Sequence, residues 1–473
     1  MIASRFRRAS AKIEVMKRVL SFVSCTALLG ACGATGDADS PGDERVDAGA
    51  LIASDSEIPP TPIDVIGGDA STEEPIDGDG GDGLNLPTPI RHIFVLIKEN
   101  HTFENYFTDF PGANTTKTAK MSDGSTITRS KAPDGPLPCD PGHSHAAGVA
   151  AYNGGKLDGF DKNVKGSCPK TTPYVYYTES QIPNYWAYAR NFAISDNYFS
   201  TLMGPTSPGH FAIATAQTPF FGNTSSGRGC ASSVLDTVQA FNRLTCNVRT
   251  AQSCFDVPSI VDALPKKMTW RAYGAGTSGA GTIGTPFNLV KGVGADQGIR
   301  ETHYRNFTKL FGDLERGDQP NLVYADVYSD HSEHPPDYPC DGENYSVEII
   351  NRIMKGPHWK DSVIIVTYDD WGGFFDHVAP RQETCSDGDE FYNGGFRLPI
   401  TIISPYAKKG FVAHTRTEQA SIPKLIEDLY GMPRMAEKDR FARDAVAGSL
   451  METLDFKQTP RAPLILKTRT CPK

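Results

Sequence analysis

Two acid-bearing pairs stand beyond the ends of two apolar runs, Glu99-Asn100 after "HIFVLI" and Lys98, and Asp369-Asp370 after "SVIIVTY". Neighbouring residues inside a strand point to opposite faces, so both members of a pair can serve one centre only where the chain is turning. Gly372 and Gly373 permit such a turn after the second pair. Three carboxylates and an amide gathered in one place would repel one another unless a divalent cation held them, and hard oxygen donors are what such a cation prefers. A hydroxyl is also at hand. In "MGPTSPGHFAIATA", Pro208 suits the first turn of a helix and Ser207 can cap it. Thr206 then stands just before the helix amino terminus, where unpaired N–H groups favour a phosphate and a neighbouring metal would activate the hydroxyl as a nucleophile. His143, His145, His331 and His334 lie in polar stretches, and an imidazole can donate to a phosphoryl oxygen or protonate a leaving alkoxide. His377 in "FFDHV" could support the metal ligands from behind. Taken singly, each acidic pair also reads as a solvated strand end, the Thr-Ser stretch as a capped turn, and each histidine as a surface residue.

Positioning these groups requires a sheet. Four apolar stretches predict core strands at residues 92–97, 321–328, 362–368 and 398–404. Helical spacing separates or follows them: Val347, Ile350, Ile353 and Met354 share one face before Gly356, and "EQASIPKLIEDLY" runs up to Gly431. Strands alternating with helices predict an α/β unit with a mostly parallel sheet, whose active groups collect beyond the carboxyl ends of the strands.

The gross features frame this unit. Basic residues precede "VLSFVSCTALLGAC", so residues 1–32 read as a signal peptide whose lipobox-like end would leave Cys32 free to carry lipid. Residues 33–88 are rich in Gly, Asp, Ser and Pro and lack aromatics, the composition of a disordered acidic tether. Beyond residue 88 the chain carries 41 acidic and 40 basic side chains, so the formal charge of -9 belongs to the tether and nothing resembles a basic nucleic-acid face. Apart from Cys25 and Cys32, eight cysteines remain, enough for up to four disulfides in an exported protein and without the Cys-x-x-Cys spacing of a zinc site.

Taken in order, the blocks "HIFVLIKENHTFENYF", "DPGHSHAAGVAAYNGGKLDGF", "MGPTSPGH", "EHPP", "WKDSVIIVTYDDWGGFFDHV" and "FRLPITIISPYAKKGFVAH" resemble the phosphoesterase family that holds bacterial phosphatidylcholine-type phospholipases C and a group of acid phosphatases. The resemblance implies an alkaline-phosphatase-like α/β fold across residues 89–473. It also implies one divalent metal ion on Glu99, Asn100, Asp369 and Asp370, with Thr206 rather than Ser207 attacking phosphorus and His143 and His334 lining the phosphoryl pocket. The family's second acid is typically Glu, so Asp370 is a methylene short. Gly209-His210 stands where phospholipase members typically carry Asn-Arg. The implied activity is hydrolysis of phosphate esters through a phosphothreonine, of acid phosphatase or phospholipase C type, by an exported protein held at a membrane through Cys32 or free in the periplasm or medium. The competing expectation is a non-catalytic surface lipoprotein that binds a divalent cation or a phosphate-bearing ligand.

Overall fold

The computed structural model describes residues 84–472 apart from 225–228, 242–246, 276–284, 328–330, 385–389 and 392–393. The signal segment, nearly all of the tether, Tyr328, Cys246 and Cys385 lie outside the described residues.

An eight-stranded sheet forms the centre of the molecule. In chain order its strands are β1 (His92–Lys98), β2 (Ala193–Ser195), β3 (Trp270–Gly274), β4 (Tyr304–Asn306), β5 (Leu322–Asp326), β6 (Ser362–Tyr368), β7 (Ile400–Ile403) and β8 (Phe411–Ala413). They lie side by side as β8-β2-β7-β6-β1-β5-β3-β4. The block β6-β1-β5-β3-β4 is parallel throughout, while β7 runs antiparallel to both of its neighbours. The expected mostly parallel α/β class is therefore borne out. β1 and β6 sit in the middle, every residue of both is buried, and their uninterrupted apolar sequences fit strands covered on both faces.

Six helices bear on the site: α1 (Phe103–Phe107), α2 (His145–Tyr152), α3 (Pro183–Asn191), α4 (Thr206–Thr215), α5 (Pro339–Lys355) and α6 (Ser421–Tyr430). α5 begins a turn before its apolar periodicity because Pro339 occupies the first helical position, and it stops at Gly356 as expected. α6 ends on Gly431 in the left-handed conformation. α4 departs from expectation at its start. Its N-cap is Pro205, so Thr206 is the first helical residue, and Ser207 makes no capping bond but pairs its hydroxyl with that of Thr224 at 3.2 Å. Three disulfides join Cys139 to Cys168, Cys230 to Cys254 and Cys340 to Cys471. A fourth pair would need Cys246 and Cys385, which are not among the described residues.

Candidate active site

β1 and β6 are paired in register from His92–Ser362 to Lys98–Tyr368, so the two acidic pairs leave neighbouring strands at the same level. Asn100 adopts φ 67°, a conformation rarely taken by residues other than glycine, and Gly372 takes φ 60° where the second turn crosses it. A Cβ on Gly372 would lie 2.0 Å from the Asn100 carbonyl oxygen, so this crossing requires glycine. Three backbone amides fix the carboxylates. The N–H groups of Asn100 and Asp370 donate to Asp369 Oδ1 at 3.0 and 2.6 Å, and Gly372 N–H donates to Asp370 Oδ1 at 2.7 Å.

Asp369 Oδ2 is left buried without a hydrogen-bond partner. The Asn100 side-chain nitrogen donates to both oxygens of Asp370 at 3.2 Å, and its oxygen accepts from His334 Nε2 at 2.7 Å, in the orientation that satisfies its neighbours. Burial, then Asp369, drives the Asp370 carboxyl well above the ordinary range. Burial, then Asp369 and Asp326, raises Glu99 to about 7. Crowded, desolvated acids of this kind call for a positive partner, and an orphaned oxygen beside them fits an oxygen-coordinated divalent cation.

α4 delivers the hydroxyl. Thr206 Oγ1 donates to Asp370 Oδ2 at 3.4 Å. The helix can approach this closely because Gly209 lies against the backbone of Asp369, where a Cβ would sit 2.0 Å from the carbonyl oxygen. The two expected pocket histidines also meet, with ring centroids 5.7 Å apart in an edge-to-face arrangement. His143 Nδ1 bonds the Pro141 carbonyl at 3.0 Å and His334 Nδ1 the Pro335 carbonyl at 2.6 Å, so the His143 ring is oriented through one nitrogen and the His334 ring, which also donates to Asn100, through both. Thr206, His334, Asn100, Asp369 and Asp370 thus form one connected group, and Glu99 joins it through its electrostatic coupling to Asp369 and His334.

His377 does not belong there. Its Nδ1 meets Glu104 and its Nε2 meets Asn114 at 3.0 Å, in a buried network with Arg129, Arg397 and Asp376. The expectation that it supports the metal ligands is corrected: the chain turns twice after Asp370, at Gly372 and Gly373, and carries His377 away toward α1.

Two site residues escape sequence reading. Asp326 ends β5 opposite Ile97 of β1 and bonds His210 Nε2 at 3.2 Å, while His210 Nδ1 bonds the Thr206 carbonyl at 3.1 Å. Burial opposes charge on His210, but Asp326, Asp369 and Glu99 outweigh it and raise the imidazole to about 10. A helical histidine one turn past Thr206 and an acid at a third strand end were the available signals. Beneath the site, Lys98 reaches Glu333 Oε1 at 3.0 Å with both side chains fully buried. Tyr106 and Tyr368 donate to Glu333 Oε2 at 2.6 and 2.8 Å, and Tyr185 donates to Oε1.

A family model described as "Phosphoesterase family" matches residues 90–433. The chain belongs to that family. This phosphoesterase is similar to a non-hemolytic phospholipase C of Burkholderia pseudomallei, 24% identical over 78% of this chain and 59% of the relative. It is also similar to non-specific phospholipase C1 of Arabidopsis thaliana, at 23% over 79% and 72%, and to phospholipase C B of Mycobacterium tuberculosis, at 25% over 79% of each. The phosphoesterase chain thus spans well under two thirds of the Burkholderia relative's length. Among solved structures it overlaps a protein in the alkaline phosphatase superfamily from Vibrio parahaemolyticus with 12% identity and a TM-score of 0.35, covering 73% of this chain and 70% of that one. A 2-O GAG sulfatase overlaps with 9% identity and a TM-score of 0.38, covering 78% and 76%.

Proposed function

We propose that this phosphoesterase hydrolyses phosphate esters through a covalent phosphothreonine on Thr206, with one divalent cation held by Glu99, Asn100, Asp369 and Asp370. The observation that carries the reading is the contact of Thr206 Oγ1 with Asp370 beside the buried, unpartnered Oδ2 of Asp369. A bound cation supplies charge that offsets the clustered carboxylates and polarises the oxygens it touches. Thr206 Oγ forms the new bond to phosphorus as the ester P–O bond breaks on the opposite side, and the hydroxyl proton leaves toward Asp370 Oδ2. His143 and His334 donate to the phosphoryl oxygens, and one of them gives the departing alcohol its proton. Water then attacks the phosphothreonine, cleaving its P–O bond and restoring the hydroxyl.

Two substrate classes fit this chemistry. Phospholipid diesters are suggested by the names of the relatives, and phosphomonoesters by His210, paired with Asp326, standing where phospholipase members typically have Arg. The deciding experiment measures release of product from a chromogenic phosphomonoester and from phosphatidylcholine vesicles, each with and without a chelator. Metal-dependent turnover of either is expected. Hydrolysis of neither in metal-replete buffer would make the chain a cation- or phosphate-binding surface protein instead.

The same reading has residues 1–32 directing export, Cys32 carrying lipid, residues 33–88 acting as the tether and residues 89–473 as the catalytic unit. Three disulfides suit an oxidising compartment, and no helix among the described residues is long and apolar enough to cross a membrane. Globomycin-sensitive processing with retention of the protein in the membrane fraction is the expected result. Release of a Cys32→Ser variant into the soluble fraction would follow from it.

A further inference from the structure

The opposite ends of the two central strands hold a second group of side chains of metal-ligand type. His92 opens β1, whereas Glu99 follows its end, so a seven-residue strand, about 20 Å long, separates the two places. His358 and Asp361 flank and close the 3₁₀ turn that leads into β6, and β6 pairs with β1 through His92 and Ser362. One ligand atom from each of His92, His358 and Asp361 lies within 4.8 Å of the others. Among the described residues no other group of three histidine, cysteine or acidic side chains is drawn together so closely.

We infer that His92, His358 and Asp361 form a second metal site, for a divalent ion of the zinc, cobalt or nickel class. Two imidazoles and a carboxylate are the donors such ions accept, in contrast to the oxygen-only set at the phosphoester site. Three further features fit. His92 Nδ1 donates to the Pro320 carbonyl, which can only accept, at 3.1 Å, so the ring is oriented through that nitrogen. That backbone bond on the far nitrogen is how ligating imidazoles are commonly oriented. The His92 and His358 rings lie 3.9 Å apart, close enough for one ion to meet both. Asp361 Oδ1 is buried without a hydrogen-bond partner, a condition that a cation relieves. An ion here would clip the first residue of β1 to the turn entering β6, with its remaining positions open to water. This proposal stands apart from the phosphoester reading and survives its failure.

Cobalt distinguishes the two places by spectrum, because nitrogen-bound ions of low coordination number absorb visible light far more strongly than octahedral ions bound by oxygen. Metal-stripped full-length protein is titrated with Co²⁺, alongside His358→Gln and Asp361→Asn variants whose folding is checked by circular dichroism. The wild type is expected to develop the strong band. Both variants are expected to lose it and bind one equivalent less, while phosphoester turnover stays within about twofold of the wild type. Zn²⁺ should compete the band away and raise the wild-type melting temperature more than that of the variants. A wild-type spectrum with only weak octahedral bands overturns the site without reference to any variant. So does a strong band that persists undiminished in both variants.

Discussion

At the scale of single residues, Thr206 carries the heaviest demand. If its oxygen forms the bond to phosphorus, Thr206→Ala should lower kcat on the order of 10³-fold or more, while Thr206→Ser retains much of it and Ser207→Ala changes little. Trapping with a slow substrate followed by peptide mass spectrometry should place phosphate on Thr206, and near-normal turnover of the Ala variant would remove it from that role. Glu99 provides a second test through pH. Its carboxyl rises from an ordinary 4.5 to about 7 in the folded chain, so the native state prefers the protonated acid. That preference contributes stability below about pH 4.5 and loses it as pH climbs through about 7. In metal-free protein, Glu99→Gln should therefore raise Tm by about 2 °C or more at pH 8 and hardly at all near pH 4.5. Saturating divalent metal should reverse the order at pH 8, because the amide is the poorer ligand. An equal Tm difference at both pH values would count against buried charge as the cause. Both residues were legible in sequence, since the chemistry of a strand-end acid and a helix-start hydroxyl is local. His210 and Asp326 were not legible as a pair, because 116 residues separate them and only the sheet brings them together.

At the scale of elements, the site is a junction of strand ends locked from beneath. Lys98 ends β1 just before Glu99, Tyr368 ends β6 just before Asp369, and Glu333 directly precedes His334. One buried carboxylate binds the other two, so the three segments that present the proposed metal ligands and the proposed pocket histidine share a common anchor. Gly342 at the start of α5 accommodates that carboxylate, since a Cβ there would lie 2.3 Å from Glu333 Cγ. Glu333 itself is held at φ 75°. Removing one partner of a desolvated ion pair strands the other charge, so Lys98→Met or Glu333→Gln alone should cost about 3–5 kcal/mol. The double variant should cost clearly less than the sum, as read from urea denaturation. Strict additivity would mean that the two side chains act separately. Sequence reading found the long central strands, whose apolar runs leave few alternatives, and missed β3, five residues long, together with β2, β4 and β8, each three residues long and too short to show a period. The expected strand, residues 92–97, stops just short of Lys98. Lys98 is instead the last residue of the strand and fully buried, a placement that depends on Glu333 arriving from a distant loop.

At the scale of the whole molecule, the carboxy-terminal segment is a strap rather than a tail. Beyond residue 460 it has no regular structure of its own, and other parts of the chain hold it at successive points. Trp359 Nε1 donates to the Arg461 carbonyl at 3.0 Å. Asn351 and Asn344 of α5 each make paired bonds with the strap backbone, Asn351 at Leu466 and Asn344 at Arg469. Arg469 reaches Glu343 at 2.9 Å, and Cys471 is joined to Cys340 in the first turn of α5. Glu343 also accepts from the backbone N–H groups of Asn184 and Tyr185 at the start of α3, so the strap ties α5 to α3 through a shared carboxylate. These contacts are polar and partly exposed, and each contributes little against the entropy of ordering a dozen residues. The covalent link changes that balance, because a cross-link across 131 residues removes many conformations from the unfolded chain. Cys471→Ser should therefore destabilise the protein by about 2–5 kcal/mol under oxidising conditions and make residues 461–472 newly sensitive to proteolysis. Because α5 also accommodates the Glu333 anchor, partial loss of phosphoester turnover should accompany strap release near the lowered Tm. A variant that matches the wild type in denaturant midpoint and in proteolytic resistance would show that the non-covalent contacts alone hold the strap.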